Sequence, residues 1–279
     1  MTKIGILHPG EMGISVAASA INNGYQVYWA SENRSDKTRL RAEKNGLIES
    51  DSLIELCHTC EIIFCICPPY AAETVANLVI EHGFNGYYLD ANAISPQRAI
   101  KIGQMMEAAA GIHFVDGGVI GGPAWKPKET WLYLSGKYAK VIADCFMKGP
   151  LETKIIGDEI GKASALKMCY AAYSKGTTAL LAAILATAES LDVREELYQQ
   201  WDMDDPNFSE QVNRRVRRAT AKAWRFEGEM HEIASTFQEA GLPSGFQEAA
   251  AEVFSRMANF KDSTEAPRLE DVLNALFQQ

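Results

Sequence analysis

Through its first 160 residues the chain alternates short apolar runs with longer stretches in which apolar positions recur every three or four residues. The runs at 3–7, 25–30, 61–67, 86–90, 112–120 and 130–136 read as strands, and segments such as 11–24, 70–83 and 95–109 read as helices. Strands apolar at nearly every position, separated by helices, predict a parallel sheet covered on both faces. Gly24 stands where a C-cap glycine would end the first helix.

Beyond residue 160 the rhythm changes. Ala163 to Leu191 reads as one long helix, about 43 Å at 1.5 Å per residue. Further helical patterns follow at 194–203, 207–218, 219–240, 245–259 and 267–277, joined by connections at 241–245 and 260–267. The fold class predicted is α/β: a doubly wound domain over residues 1–160, followed by an all-α domain over 161–279.

Composition narrows the function. The 279 residues are 47% apolar, enough for the cores of two domains. The net charge of −9 argues against a general nucleic-acid binder but leaves room for a local anion site. The apolar stretch 179–188 is too short to span a bilayer, and the chain opens on a strand pattern rather than a leader, so no membrane association or signal peptide is expected. The six cysteines lie mostly in apolar contexts, which predicts buried free thiols and a cytoplasmic protein. Cys57 and Cys60 have metal-like spacing but no second pair downstream, so no metal is expected.

The first strand ends in His-Pro-Gly-Glu-Met-Gly, residues 8–13. A dinucleotide turn reads Gly-x-Gly-x-x-Gly, and here His8 holds the first glycine position. Backbone N–H groups at the following helix start, with the helix dipole, favour a pyrophosphate. Gly10 would admit the phosphates, Gly13 would let helix and strand pack, and Pro9 could fix the turn in another way. Glu11 and Met12 complete the segment. After the second strand, Glu32 could hold ribose hydroxyls, whereas Arg34, between Asn33 and Ser35, could grip a 2′-phosphate. Ser35 also reads as an ordinary helix cap. NADP is favoured over NAD.

Three further segments carry chemistry: Leu-Asp-Ala-Asn-Ala-Ile-Ser-Pro at 89–96, Val-Asp-Gly-Gly-Val-Ile-Gly-Gly-Pro-Ala-Trp at 115–125, and the start of the long helix at 157–170. Lys167, Tyr170, Ala171 and Ser174 lie at i, i+3, i+4 and i+7, which predicts one shared helix face. The plainer reading of Lys167 is a surface lysine whose stem covers apolar surface.

In order and spacing these segments resemble the β-hydroxyacid dehydrogenase superfamily, which includes 3-hydroxyisobutyrate dehydrogenase and 6-phosphogluconate dehydrogenase, and within it a phosphogluconate-dehydrogenase-like branch. The kept positions are Gly10, Met12 and Gly13; Asp90 and Pro96; Asp116, Val119, Gly121 and Gly122; Gly161 and Lys167. The resemblance implies a Rossmann-like NAD(P)-binding domain followed by a helical substrate and dimerisation domain. It implies Lys167 as the catalytic proton donor or acceptor. Substrate would lie near Asn92, Gly121, Gly122, Tyr170 and Ser174. Cofactor contacts would come from residues 8–13, from Asn33, Arg34 and Ser35, from Cys67, Pro68 and Pro69, and from Asn92. The chain departs where the superfamily has serines, at Asn92 and Ile120, and where it has an asparagine, at Ala171.

The expected activity is hydride transfer between a nicotinamide cofactor and a small hydroxy acid or its carbonyl counterpart, by a homodimer or larger homo-oligomer. The rivals are an imine reductase of the same architecture, against which Lys167 counts, and a cofactor-binding sensor without turnover, which Ile120 and Ala171 keep open. Trp125, Lys126 and Lys128 line the pocket or form an exposed turn. The run 214–218 reads as a solvated helix face. Arg225 could reach a ligand anion across a dimer, and Lys261–Asp262 lies too far from Lys167 to match a cofactor-contacting pair in relatives.

Overall fold

A computed structural model of the chain describes residues 2–109, 111–261, 263 and 265–278. The chain divides into two compact units, Met1–Met168 and Cys169–Gln279.

The first unit holds β1 (Lys3–Leu7), β2 (Gln26–Ala30), β3 (Ile48–Ser50), β4 (Ile62–Cys65), β5 (Gly86–Asp90), β6 (Ile112–Gly121), β7 (Thr130–Ser135) and β8 (Glu152–Ile155) in one sheet of order β3-β2-β1-β4-β5-β6-β7-β8. Its helices are α1 (Glu11–Asn22), α2 (Asp36–Lys44), α3 (Leu53–Thr59), α4 (Ala72–Glu81), α5 (Pro96–Ala108) and α6 (Ala139–Asp144). The near-continuous apolar runs have a simple cause. Ile4, Ile6, Ile62 and Phe64 enter one core with α1 and α6, while Leu7, Ile63 and Cys65 enter the other with α3, α4 and α5. Successive strand residues face opposite sides, and both sides are buried.

Two expectations are corrected. The sheet is not parallel throughout, because β7 runs antiparallel to β6 and β8 runs parallel to β7. Only residues 122–129 join β6 to β7, a hairpin-length link too short for a crossover helix. The sequence reading also lacks β3 and β8. These are short edge strands with exposed or polar positions, so they carry no apolar run.

The long helix is interrupted. It comprises α7 (Lys162–Ala171), a π-helical turn at Ala172–Gly176, and α8 (Thr177–Ser190). The π turn inserts an extra residue into the helical register, so the expected i, i+7 step from Lys167 to Ser174 is not that of a regular α-helix.

The second unit continues with α9 (Arg194–Asp204), α10 (Phe208–Ala219), α11 (Ala223–Glu239), α12 (Gly245–Arg256) and α13 (Leu269–Ala275). In α10, Val212 and Val216 are buried, and two arginines of the 214–218 run are tied down rather than solvated. Arg215 Nε donates to Thr178 Oγ1 at 2.6 Å, and Arg217 Nε donates to Pro267 O at 2.6 Å. Lys175 and Glu229 form a buried ion pair at 2.6 Å, with Lys175 also 5.0 Å from the Phe226 ring centre. Arg225 stands 3.9 Å from the same Glu229. Lys261 covers the Trp224 ring, whereas Asp262 lies outside the described residues. Among the described residues no helix is long and apolar enough to cross a membrane, and no group of three or more His, Cys, Asp or Glu residues could hold a metal. Cys57 and Cys60 are buried free thiols, each pushed up to about 12 by desolvation.

Candidate active site

Strand register gathers the candidate residues of the first unit. Leu7 pairs with Cys65, Cys65 with Asp90, Asp90 with Asp116, and Asp116 with Ser135, so these five form one row across the sheet. His8–Gly10, Cys67, Asn92 and Gly117–Val119 all follow that row, at the C-terminal edge of the parallel strands. Open α/β sheets bind ligands at this edge.

The turn after β1 explains its irregular residue. His8 has φ +65°, a left-handed conformation that normally selects glycine. Its carbonyl accepts from Gly10 N at 2.7 Å, and a Cβ on Gly13 would stand 2.6 Å from the same oxygen. Gly13 is therefore required by the fold. Gly10 differs: a Cβ there would meet nothing nearer than 3.9 Å, and α1 receives no side-chain cap from it. Pro9 is buried, and its carbonyl accepts from Arg41 at 3.2 Å. Met12 packs against the core below. Glu11 borders a cleft of about 700 Å³ that is also lined by Ile14, Lys37, Arg41, Pro123 and Trp125.

Beside this turn His8 Nδ1 and Arg34 Nε are buried without a hydrogen-bond partner. Burial, reinforced by the Arg34 charge, lowers the His8 pKa to about 4, so the ring is neutral at pH 7. An uncapped helix start, open space at Gly10 and two unmet polar atoms, one on a guanidinium, suit the phosphates of a dinucleotide. Asn33 and Glu32 are exposed, with Asn33 at φ +57°. Ser35 is the cap of α2, accepting from Thr38 N at 3.4 Å.

Asn92 is spent on structure. It is 2% exposed; its Oδ1 accepts from Cys67 N at 2.5 Å and its Nδ2 lies 3.4 Å from Cys65 Sγ. The side chain thus holds the turn after β4. Pro68 and Pro69 continue that turn, with the Pro69 carbonyl held by Arg98 at 3.0 Å. Asp90 accepts from Asn92 N at 3.0 Å, but its Oδ2 is buried without a partner. Desolvation and the neighbouring Asp116 push its pKa up to about 7.

The lysine helix starts against the other end of the row. At the start of α7 Asp116 accepts from Gly161 N and Ser164 N and Ser135 Oγ accepts from Ala163 N, and Gly118 lies under the helix, where a Cβ would stand 2.6 Å from Ala163 O. Lys167 Nζ donates to Val119 O at 2.7 Å. Gly121 has φ +121°, and a Cβ there would stand 2.4 Å from Glu129 O, so the hairpin requires glycine. Gly122 is exposed, with nothing within 4 Å of a Cβ position. Tyr170 and Ser174 belong to the second unit; Tyr170 is 47% exposed, and the Ser174 carbonyl accepts from Arg215 at 2.6 Å. Sequence reasoning missed Arg41, Ser135 and Ser164. Only Ser164 carried a signal, lying three residues before Lys167 on the helix.

Residues 188–257 match a domain of unknown function. An uncharacterized 28.5 kDa protein of Methanothermus fervidus is 28% identical over 197 residues, which are 71% of this chain and 75% of that one. A conserved protein of unknown function, described as structurally similar to 3-hydroxyacid dehydrogenases, is 25% identical with a TM-score of 0.68, over 92% of this chain and 97% of its own. A 3-hydroxyisobutyrate dehydrogenase from Salmonella typhimurium has a TM-score of 0.73 at 17% identity, over 98% and 99%. A reductive aminase from Aspergillus terreus in complex with NADPH shares the fold at a TM-score of 0.56 and 14% identity, over 98% and 99%. An imine reductase from Bacillus cereus does so at 0.55 and 19%, over 100% of both chains. Residues 3–143, half of the length, match the model of the NAD binding domain of 6-phosphogluconate dehydrogenase, and the chain belongs to that family.

Proposed function

We propose that the protein is an NADP- or NAD-dependent oxidoreductase that interconverts a small hydroxy acid and its carbonyl counterpart, with Lys167 as the proton donor or acceptor. The observation that carries this reading is the shared edge: the uncapped turn at Gly10 and the Lys167 ammonium on Val119 O both stand beyond the same row of strand residues. His8, Gly10 and Arg34 would hold the dinucleotide, which when bound supplies or accepts the hydride.

The rest falls to the chain's own side chains. A carbonyl oxygen that gains an electron pair must gain a proton, and a positioned ammonium can deliver it; in the other direction a neutral amine removes it. The Val119 carbonyl orients Nζ before substrate arrives. Substrate carboxylate would be held at Gly121 and Gly122. Arg34, with a buried nitrogen lacking a partner, favours the 2′-phosphorylated cofactor.

The test is a panel of small hydroxy acids and carbonyl acids, assayed with both cofactors by nicotinamide absorbance. Turnover of an acid supports the reading. Turnover only of carbonyl–amine mixtures would install imine reduction in its place, and tight NADPH binding without turnover on any compound would leave a sensor. We further propose that the helical unit pairs two copies, because Leu180, Leu191, Trp224 and Phe246 are exposed. A monomer by light scattering at micromolar concentration would refute it.

A further inference from the structure

Asp116 has no part in the proton transfer proposed for Lys167, yet its carboxylate is fully buried and accepts four hydrogen bonds within the first unit. Oδ2 accepts from Ser135 Oγ at 2.9 Å, Gly161 N at 2.9 Å and Ser164 N at 3.1 Å; Oδ1 accepts from Ser164 Oγ at 2.6 Å. Ser135 Oγ in turn accepts from Ala163 N at 3.1 Å. The N–H groups of Gly161, Ala163 and Ser164 are therefore taken by two side chains that face each other in the β6–β7 register. Donors at a helix start are otherwise left to water or a ligand.

The geometry then runs on to the lysine. Ser164 and Lys167 are one helical turn apart, so both face β6. The helix crosses β6 at Gly118, and beyond it Lys167 Nζ donates to Val119 O at 2.7 Å. Gly118 makes the close approach possible, since a Cβ there would stand 3.1 Å from Lys167 Cβ.

We propose that Asp116 is the positioning residue for Lys167: with Ser135 and Ser164 it pins the start of α7 to β6 and β7, and so sets where the lysine ammonium stands at the sheet edge. The claim deepens the proposed proton-transfer role and rests on it for its functional meaning. Burial pushes the Asp116 pKa up, and the hydrogen bonds from Ser164, Ser135 and Gly161 act against that shift by favouring the carboxylate. The neighbouring carboxyl, Asp90, is the one in which burial and the charge of Asp116 favour the proton.

The test compares wild type with Asp116→Asn and the milder Ser135→Ala, which removes one donor to Asp116 and the acceptor of Ala163 N. Lysines are labelled by reductive ¹³C-methylation, and the Lys167 resonance is identified with Lys167→Met. The Lys167 resonance and pH titration should move toward those of a free lysine in Asp116→Asn and part of the way in Ser135→Ala. The amides of Gly161, Ala163 and Ser164 should exchange at least roughly tenfold faster in Asp116→Asn. NADPH affinity, read by calorimetry, should stay within about twofold, because the cofactor turn is untouched. With a turned-over substrate, kcat should fall by roughly 10²-fold at unchanged cofactor KM. An unmoved Lys167 resonance in a folded Asp116→Asn or Ser135→Ala protein overturns the proposal. A moved resonance with unchanged kcat supports the positioning and refutes the proton role of Lys167 instead.

Discussion

Two helix starts in the first unit meet the same row of strand residues and are used in opposite ways. At α1 the backbone donors follow a glycine that offers no cap, and the space beside Gly10 is open. At α7 the donors of Gly161, Ala163 and Ser164 are consumed by Asp116 and Ser135. A helix start left unsatisfied is a site, and one satisfied by buried side chains is an anchor. On the proposed reading the difference divides the labour of the sheet edge: one end would hold the dinucleotide, and the other fixes the lysine proposed to act beside it.

The comparison breaks most sharply at Gly10. Gly10→Val should weaken NADPH binding by about 100-fold or more, because the side chain fills the path of the pyrophosphate. The melting temperature should move little, since no neighbour is close enough to clash. Binding within a few-fold of wild type by calorimetry would make α1 an ordinary helix start. Arg34→Ala comes next. Losing a charge-assisted contact of about 1.5–3 kcal/mol should lower NADPH affinity by roughly 10–100-fold and leave NADH affinity nearly unchanged. A wild type that prefers NADH would remove this role from Arg34.

Gly13→Ala sharpens the contrast with Gly10. Its Cβ would stand 2.6 Å from His8 O, so the expected outcome is a stability loss of about 1–3 kcal/mol by denaturant titration. The smallest effect is a pH dependence. Asp90, with a folded pKa of about 7, binds its proton more tightly when folded, so its contribution to stability is lost as pH rises from about 4 to 7. His8, lowered to about 4, acts in the opposite sense, and its contribution is lost as pH falls from about 6.5 to 4. Asp90→Asn removes only the first. Its melting temperature should rise more steeply with pH across this window than that of wild type. Parallel curves would show that Asp90 does not carry the proton.

The core strands were legible because burial on both faces makes them apolar throughout, as in β4. Strand direction leaves no such trace, so the reversal at β7 went unread, although the length of 122–129 bounds it. The glycine turn and Lys167 were legible as local motifs. The partners that hold the edge together were not. Cys67 N meets the Asn92 amide oxygen across 25 residues of sequence, and Asp116 meets Ser164 across 48. His8 shows the limit from the other side: the sequence marks the departure from glycine, and only the backbone shows that the turn keeps glycine's positive φ.

The central claim is that Lys167 moves the substrate proton, and Lys167→Met tests it by keeping the stem while removing the ammonium. On any hydroxy acid or carbonyl acid turned over by the wild type, the variant should lose about 10²–10⁴-fold in rate. Its NADPH affinity and melting temperature should stay near those of wild type. Turnover within a few-fold of wild type would contradict the account, leaving Lys167 a surface lysine and Tyr170 the next group to test.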